Sequence, residues 1–524
     1  MKTSFPSISK GLGLCILSQA ALVGGSHAAT RVWGGATNGA WTTGTNWEGD
    51  TAPSNSLTTD TVEFSDSTIN TTVSVNVGAA RSIAGLSFPV TLASVSITGS
   101  NLTVGASGIT NAGNLGHNFF NQLVLGANRT VNSGSGSFLF ENATIFSGAG
   151  GITKQGSGGI YLSGTGAHTG DTILSAGLIQ LQHFNALASS TLDTGTSGTR
   201  SLLFRETAVQ DAELAINDGI DVAFGTYHLG GLKGGLTFAV NSADDVDGST
   251  GERHLSVGSN NSSNVFSGSI TGDGSFIKVG TGMQTFSGNN AYTGFTKVAE
   301  GELRINGSTA FGSVVSVLDQ ATLSGIGTVG GDTTIESGGT LAVGQSPGLL
   351  TFSHDLTQTT GSIFEWELDS KVSTQSGGSL PGEGTVTAGT GVRGTDFDAA
   401  DVDGDITIAS GAIFKIMLTD LFDRATDAFW DTRQVWTVFD ADAAGTKTGV
   451  FDTFEIWQDS AGTPTQLTAN SVKPGYFSFA WGTDGLGANS GNLIWTPIPE
   501  PGNALVGLIL GAGLLKRRRK LVTA

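Results

Sequence analysis

Along most of the chain, apolar and polar residues alternate in short runs, and glycine separates one run from the next. Two similar segments, 148–181 and 272–305, end in apolar-polar-apolar triplets at 179–181 and 303–305, so each closes on two inward side chains around an outward one. Alternation with a period of two is the pattern of a half-buried β-strand. The sequence therefore predicts an all-β chain of short strands with tight glycine corners.

The two segments form an internal repeat. Residues 148–181 align without a gap with 272–305, each residue of the second lying 124 positions after its counterpart in the first, and a partial third copy lies at 330–348. One such unit has too few inward side chains to bury them alone, so it requires a similar neighbour stacked on it. The repeats predict a β-solenoid over residues 91–358.

A known repeat family shares this pattern. The motif G-x-G-x-x-x-K-x-G-x-G, followed by S-G, T-G-x-T and x-G-x-L/I-x-L/I, resembles the autotransporter-associated β-strand repeat, and Lys154 and Lys278 occupy its lysine position. The resemblance implies a right-handed parallel β-helix for the repeated part of the chain.

The regions on either side of the solenoid differ from it in composition. Residues 29–90 open with Trp33, Trp41 and Trp47, which we interpret as a cap over the open end of the solenoid, with sugar stacking as the alternative. Residues 359–496 contain more Asp, Phe and Trp, in strand-like runs between long polar loops. This texture favours a smaller antiparallel β domain.

Charge and cysteine use restrict the partners of the protein. The chain has 524 residues, a net charge of -19, 80 glycines and a single cysteine, Cys15. Residues 1–29 and 501–524 contain basic residues but no acid, so the part between them is more acidic than the total. A strongly acidic surface repels phosphate backbones, which argues against nucleic acid as a partner.

The first 28 residues predict a secretory signal. A basic start is followed by an apolar stretch and by small residues, and we expect cleavage between Ala28 and Ala29. Because Cys15 lies in the segment to be removed, the mature chain would contain no disulfide and no thiolate metal site.

The C-terminal segment, residues 497–524, predicts a membrane helix. The apolar stretch 502–515 precedes a basic stop-transfer block, which consists of Lys516, Arg517, Arg518, Arg519 and Lys520. Such a block remains cytoplasmic, so the chain before it would lie outside, anchored in the inner membrane.

The same segment resembles the PEP-CTERM sorting signal, in which Pro-Glu-Pro, an apolar helix and a basic end follow one another. Pro499, Glu500 and Pro501 match the motif itself. The resemblance implies cutting near the motif by an exosortase, in Gram-negative bacteria that make extracellular polysaccharide. The alternative is a plain C-terminal anchor, with the prolines only breaking the chain before the helix.

Two acidic groups are candidates for chemistry. Asp401, Asp403 and Asp405 could bind calcium, although their spacing does not fit an EF-hand loop, and the alternative is a solvated acidic hairpin. Glu365 and Glu367 face the same way on a predicted strand, as paired carboxylates of a glycosidase would, but such neighbours are also typical of the wet side of a sheet. We expect no catalytic residue and no cofactor.

These observations predict an exported structural or adhesion-type protein of the cell surface or extracellular matrix, built on a β-helix and not an enzyme. The expected partners are the general secretion machinery, an exosortase and extracellular polysaccharide. The alternative is a polysaccharide-binding or polysaccharide-degrading β-helix protein. After processing the chain would lie on the cell surface or in the medium.

Overall fold

A computed structural model describes residues 29–35, 38–65, 72–90, 93–205, 225–241, 253–345, 347–377, 386–419, 426–460, 463–467, 473–482 and 486–498. These residues form β-strands and two short 3-10 helices, Gly44–Asn46 and Ala428–Asp431.

The strands in the first half of the described chain are β1 (Ala29–Val32), β2 (Asp60–Glu63), β3 (Val73–Asn76), β4 (Arg81–Phe88), β5 (Val95–Thr98), β6 (Leu102–Asn111), β7 (Gly116–Phe119), β8 (Leu123–Val124), β9 (Arg129–Asn132), β10 (Ser137–Phe140), β11 (Thr144–Gly148), β12 (Ile152–Gln155), β13 (Gly159–Leu162), β14 (Thr165–His168), β15 (Thr172–Leu174), β16 (Gly177–Leu181), β17 (Leu187–Asp193), β18 (Arg200–Phe204), β19 (Thr226–Lys233), β20 (Phe238–Ala239), β21 (His254–Val257), β22 (Asn264–Phe266) and β23 (Ile270–Gly272).

The strands in the second half are β24 (Ser275–Lys278), β25 (Met283–Phe286), β26 (Ala291–Tyr292), β27 (Thr296–Val298), β28 (Gly301–Ile305), β29 (Val315–Val317), β30 (Ala321–Gly325), β31 (Thr328–Val329), β32 (Thr333–Ile335), β33 (Thr340–Val343), β34 (Leu349–Phe352), β35 (Leu356–Gln358), β36 (Ile363–Leu368), β37 (Gln375–Ser376), β38 (Thr387–Ala388), β39 (Ala399–Val402), β40 (Ile406–Ile408), β41 (Ile413–Leu418), β42 (Gln434–Ala441), β43 (Lys447–Thr448), β44 (Thr453–Ser460), β45 (Thr463–Gln466), β46 (Gly475–Trp481) and β47 (Ser490–Pro497).

The strands stack in parallel into a β-solenoid. One face is a continuous parallel ladder from β1 to β43, in which each rung pairs with the next. A second face consists of β3, β5, β7, β10, β13, β16 and β18, and it is followed further along by β22, β25, β28, β30, β33, β36, β41 and β44. The prediction of an all-β parallel solenoid is confirmed.

The core is a set of apolar columns that run through successive rungs. On the second face, one column joins Val75, Ile97, Phe119, Phe140, Leu162, Leu181 and Phe204 through the strand register. Each of these side chains is buried. A fully buried residue of this kind contributes about 1.5–3 kcal/mol, so the stacked repeats supply the burial that a single repeat lacks.

Residues 359–496, which the sequence predicted as a smaller antiparallel β domain, contain both parallel and antiparallel strands. Strands β36, β41 and β44 continue the parallel ladder in register. Within the described residues, antiparallel pairing joins β37 to β38 and β42, β42 to β47, β46 to β47, and β44 to β45. The alternation of the sequence could not separate the two kinds of pairing, because side chains alternate with a period of two in both strand directions.

The three N-terminal tryptophans are packed against one another. The rings of Trp33 and Trp47 meet edge to face at 4.9 Å, those of Trp41 and Trp47 at 5.2 Å, and the Trp47 indole donates a hydrogen bond to the Trp41 carbonyl. All three are at most 2% exposed. Their faces are therefore closed to a sugar, and the rings fill the solenoid interior beside β1.

Candidate functional site

The lysine of the first repeat is buried at a corner of the solenoid. Lys154 ends the inward side of β12, and its Nζ donates hydrogen bonds to the carbonyls of Gln155 at 2.7 Å, Gly156 at 2.9 Å and Ala176 at 3.1 Å. Because Ala176 belongs to the next rung, one ammonium group holds two successive turns together. An ammonium has three donors, and all of them are used.

The lysine of the second repeat repeats this geometry. The Nζ of Lys278 donates to the carbonyls of Val279 at 2.7 Å, Gly280 at 2.7 Å and Glu300 at 3.1 Å. Burial lowers the pKa of both Lys154 and Lys278 to about 8, so both remain charged at neutral pH. Carbonyl dipoles compensate the buried charge, and this arrangement is structural because no proton or lone pair is left for a reaction.

Each corner also requires a glycine in the rung that receives the lysine. Gly177 has φ +73° and Gly301 has φ +64°, in the left-handed region that favours glycine. A Cβ on Gly177 would collide with the carbonyl oxygens of Gly156 and Gly158. The spacing of lysine and glycine in the repeat therefore follows from the geometry of one corner.

A chain of polar groups crosses the interior of the first repeat. The Nε2 of His168 lies 2.9 Å from the Thr172 hydroxyl, which lies 2.9 Å from the Ser190 hydroxyl, and Ser190 donates to the Gly170 carbonyl at 2.7 Å. The three side chains are 0% exposed, and burial lowers the pKa of His168 to about 4. A serine and a histidine thus lie close together, but no substrate could reach them.

The second repeat has a tyrosine at the position of His168. The Tyr292 hydroxyl lies 2.6 Å from the Thr296 hydroxyl, which lies 3.3 Å from Ser313. Burial raises the pKa of Tyr292, so its phenol stays neutral. The position thus accepts two different rings that each reach the threonine, as expected for an internal hydrogen-bond chain and not for a catalytic base.

The calcium candidates are not gathered around one point. Asp401 accepts a hydrogen bond from Arg393 at 2.7 Å, and Asp405 accepts the backbone N–H of Thr446 at 2.6 Å. The described part of the chain contains no group of three His, Cys, Asp or Glu side chains that could hold a metal ion. Calcium at Asp401, Asp403 and Asp405 therefore has no geometric support.

The paired glutamates lie on the outer face of β36. Glu365 forms an ion pair with Lys415 on the next rung at 2.7 Å, and the same ammonium lies 4.9 Å from the Trp457 ring centre. The Trp457 indole in turn donates to Glu455 at 3.0 Å. Glu365 is thus one partner of an ion pair between two rungs on the outer, partly exposed side of the sheet.

The sequence analysis missed a buried carboxyl group beside these residues. Asp398 is 4% exposed and accepts the backbone N–H groups of Gly348 at 2.8 Å and Glu367 at 2.9 Å. Burial raises its pKa well above the usual range. These bonds fasten two rungs together, and the buried apolar run around Asp398 was the only signal of this role in the sequence.

Open cavities lie on the surface of the described part of the chain, and two of them each include a phenylalanine in the lining. One, of about 470 Å³, is lined by Phe120, Glu141, Asn142, Ala143, Ser163, Gly164 and His183. The other, of about 380 Å³, is lined by Asn290, Ala291, Thr293, Ser308, Thr309, Ala310, Phe311, Thr328, Gly330 and Ser353. Neither lining contains a pair of carboxylates, so neither offers the acid and base of a glycosidase.

The predicted targeting residues lie largely outside the described residues. These are Ala28, the motif Pro499, Glu500 and Pro501, and the block Lys516, Arg517, Arg518, Arg519 and Lys520. Ala29 begins β1, and its N–H donates to the Thr59 carbonyl at 2.7 Å. In the part of the chain that the structure describes, no helix is long and apolar enough to cross a membrane.

The fold and its lysine corners define the class of this protein as a parallel β-solenoid with internal repeats. The passenger-associated-transport-repeat family matches residues 152–181 and 276–305, the two segments in which the corners were found. The resemblance stated from the sequence is thereby confirmed for these repeats. In the partial copy at 330–348, β32 and β33 stack on the same two faces as the complete repeats.

Two curated proteins are similar to part of the chain. The adhesin BmaC autotransporter of Brucella suis biovar 1 (strain 1330) is 34% identical over 110 residues, which are 20% of this chain and 3% of the adhesin. An extracellular serine protease of Serratia marcescens is 40% identical over 103 residues, which are 20% of this chain and 10% of the protease. The chain therefore matches only a small part of either relative.

Proposed function

We propose that this protein is an exported, non-enzymatic surface protein of the adhesion type, in which the β-solenoid serves as a stiff acidic rod. One observation carries the proposal: the repeats that resemble passenger segments form a ladder that continues without interruption from β1 to β43. A protein named as an adhesin shares this kind of segment. The rod would hold a binding surface away from the cell.

The chemistry of the described residues supports a structural role. The buried lysines donate only to carbonyls, the buried side chains of His168 and Ser190 are inaccessible, and Glu365 is paired with Lys415. These groups join rungs to one another. Such bonds suit a protein whose strength outside the cell comes from packing and ladder hydrogen bonds.

We further propose that the chain is sorted by its C-terminal segment, 497–524, which an exosortase would cut near Pro499, Glu500 and Pro501. The apolar stretch would hold the protein in the inner membrane until that cut, with the basic block in the cytoplasm. The general secretion machinery would remove residues 1–28. The sequence order of motif, apolar stretch and basic block supports this route.

Surface labelling of the producing bacterium tests the proposed location. Intact cells are treated with a membrane-impermeant amine reagent and with protease, and the mature protein should be labelled and digested while a cytoplasmic marker is spared. A deletion strain should adhere less to surfaces than its parent, and the wild-type gene should restore adhesion. Unchanged adhesion of the deletion strain would contradict the adhesion role.

The sorting proposal is tested by the mass of the mature protein. Intact-mass and C-terminal peptide analysis of protein from the producing bacterium should show loss of everything after the Pro499 to Pro501 region. Mature protein that still ends in KRRRKLVTA would overturn the processing claim. A variant with Glu500→Ala should accumulate in the uncut form, and Glu455→Gln, far from the motif in sequence, is the matched control.

Polysaccharide binding is the second candidate function, and the cavity beside Phe311 favours it. Polysaccharide degradation has no such support, because neither described cavity carries paired carboxylates. A reducing-sugar assay on extracellular polysaccharide is expected to show no release with wild-type protein.

A further inference from the structure

Phe311 is presented to solvent by a rigid turn. Its side chain is 80% exposed. The Ser313 N–H donates to the Ala310 carbonyl at 3.1 Å, and Gly312 has φ +81°, as the third position of a type II turn requires. The Gly312 N–H also donates to the Gly330 carbonyl of the next rung at 2.7 Å. The turn is thus held both by its own closing hydrogen bond and by a hydrogen bond to the next rung of the solenoid.

A second aromatic ring supports Phe311 from one side. The His354 ring centre lies 4.4 Å from that of Phe311, at an angle of 60°. A single exposed apolar ring is common on protein surfaces, but this one is held by a turn and by a second ring beside an open cavity. Because the turn and His354 already fix the ring, a ligand would not need to order it on binding.

The cavity next to Phe311 offers hydroxyl groups that the fold does not use. Thr293, Ser308, Thr328 and Ser353 are among the residues that line it, and their hydroxyls make no hydrogen bond to another described residue. Asn290, in contrast, accepts the Ile270 N–H at 3.0 Å and donates to the Ser308 carbonyl at 3.2 Å, which fixes the cavity floor. An aromatic face beside free hydroxyls matches the two faces of a sugar ring.

The geometry points to a saccharide-binding subsite at Phe311, with a neutral hexopyranose unit of a polysaccharide as its ligand. The ring would stack on the apolar face of the sugar, and the cavity hydroxyls would bind its hydroxyl groups. The described lining contains no charged side chain, while Asp332 and Asp355 each lie two residues from a lining residue in sequence. Their charge disfavours an anionic glycan.

This subsite deepens the polysaccharide-binding candidate and rests on it, but not on the adhesion or sorting proposals. Surface labelling tests location in cells, whereas sugar binding is measured with the purified full-length protein. A negative result in the sugar-binding measurement therefore leaves the surface-labelling result unaffected, and the reverse also holds.

The test is native affinity electrophoresis of the full-length protein in gels containing dextran, galactomannan or xyloglucan, with polygalacturonate as the anionic polymer. At least one neutral polymer should retard the wild type, and polygalacturonate should not. Phe311→Ala should weaken the retardation about tenfold or more, and Ser353→Ala about threefold. Phe311→Trp should preserve it, because an aromatic face remains.

Val314→Ala is the matched control, since Val314 is 50% exposed close to the turn but does not line the cavity. It should bind like the wild type. Retardation by none of the neutral polymers, or equal retardation of wild type and Phe311→Ala, would overturn the proposal. Analytical ultracentrifugation tests whether Phe311 mediates self-association instead. A wild-type dimer that becomes a monomer in Phe311→Ala, together with no retardation by sugar polymers, would also overturn the proposal.

Discussion

The two complete repeats, 152–181 and 276–305, share a buried lysine corner but differ in the polar ring beside it. Lys154 and Lys278 make the same three hydrogen bonds to equivalent carbonyls. Buried charge is expensive unless it is well compensated. Because the same three bonds recur at both corners, we expect the converging carbonyls of two rungs to depend on this long cationic side chain.

The position that differs has a looser requirement. His168 in the first repeat and Tyr292 in the second both reach a buried threonine hydroxyl. What the fold needs there is a ring with one polar atom at its tip. The lysine corner is thus defined by charge and backbone geometry, whereas the ring position is defined only by the length of a side chain that can contact the threonine. Experiments can test this difference.

Removing the shared feature should have the largest effect. Lys154→Met and Lys278→Met each remove the ammonium from which three carbonyls accept hydrogen bonds, and we expect each to lower the free energy of local opening by about 4 kcal/mol. Because the two corners are equivalent, the two losses should agree within about 1 kcal/mol. Amide hydrogen exchange in β12, β15, β24 and β27 measures them separately.

Lys233→Met is the matched control for these variants. Lys233 forms an ion pair with Asp171 at 2.6 Å and its side chain is 34% exposed, so its loss should cost less than about 1 kcal/mol. A loss of the same size in all three variants would show that the buried corner has no special weight. A large loss at one corner and none at the other would break the equivalence of the repeats.

The second prediction concerns the ring that distinguishes the repeats. The ordinary pKa of a histidine is 6.5, and burial lowers the pKa of His168 in the folded protein to about 4. Between these values the unfolded chain binds more protons than the folded one. The free energy of unfolding therefore falls as pH falls from 6.5 to 4, by up to about 3 kcal/mol for this group, and recovers above 6.5.

Exchanging the rings tests this assignment. His168→Tyr should remove its share of the acid loss around β14, and Tyr292→His should introduce an acid loss around β26. His117, whose pKa burial also lowers to about 4, remains in both variants, so the difference between variant and wild type at each pH isolates the exchanged ring. Hydrogen exchange or thermal unfolding at a series of pH values supplies the measurement, and identical pH profiles for His168→Tyr and wild type would contradict it.

Much of the fold followed from the sequence, because the repeat and its alternation depend on local residue choice. The strands of 148–181 and 272–305, and their stacking, were predicted from spacing alone. The role of Lys154 and Lys278 was not, although both stand as the inward charge of an otherwise apolar strand. A charged residue at an inward position, repeated 124 residues later, was the signal in the sequence for a buried lysine at the corner.

Other features depended on contacts that alternation does not encode. Strand direction in 359–496 was predicted only in part, because parallel and antiparallel strands share a period of two and this region contains both. The subsite at Phe311 depends on a turn that rests on Gly330, in a neighbouring rung. Asp401 and Asp405 were read as a cluster, yet successive strands and corners direct them to different partners. Each miss involves a residue whose role is set by the rung above or below.

The smallest expected effect lies on the outer face, where the repeats differ most freely. Glu302 accepts two hydrogen bonds from Arg304, at 3.0 and 2.8 Å, and Leu178 and Gln180 stand at the equivalent positions of the first repeat. Both partners are partly exposed, so solvent and salt screen the pair. Arg304→Gln should lower the opening free energy of β28 by less than about 1 kcal/mol, with the difference vanishing in high salt. Hydrogen exchange at low and high ionic strength measures it. A loss of about 3 kcal/mol that salt does not reduce would mean that surface pairing, and not the buried corner, holds these repeats together.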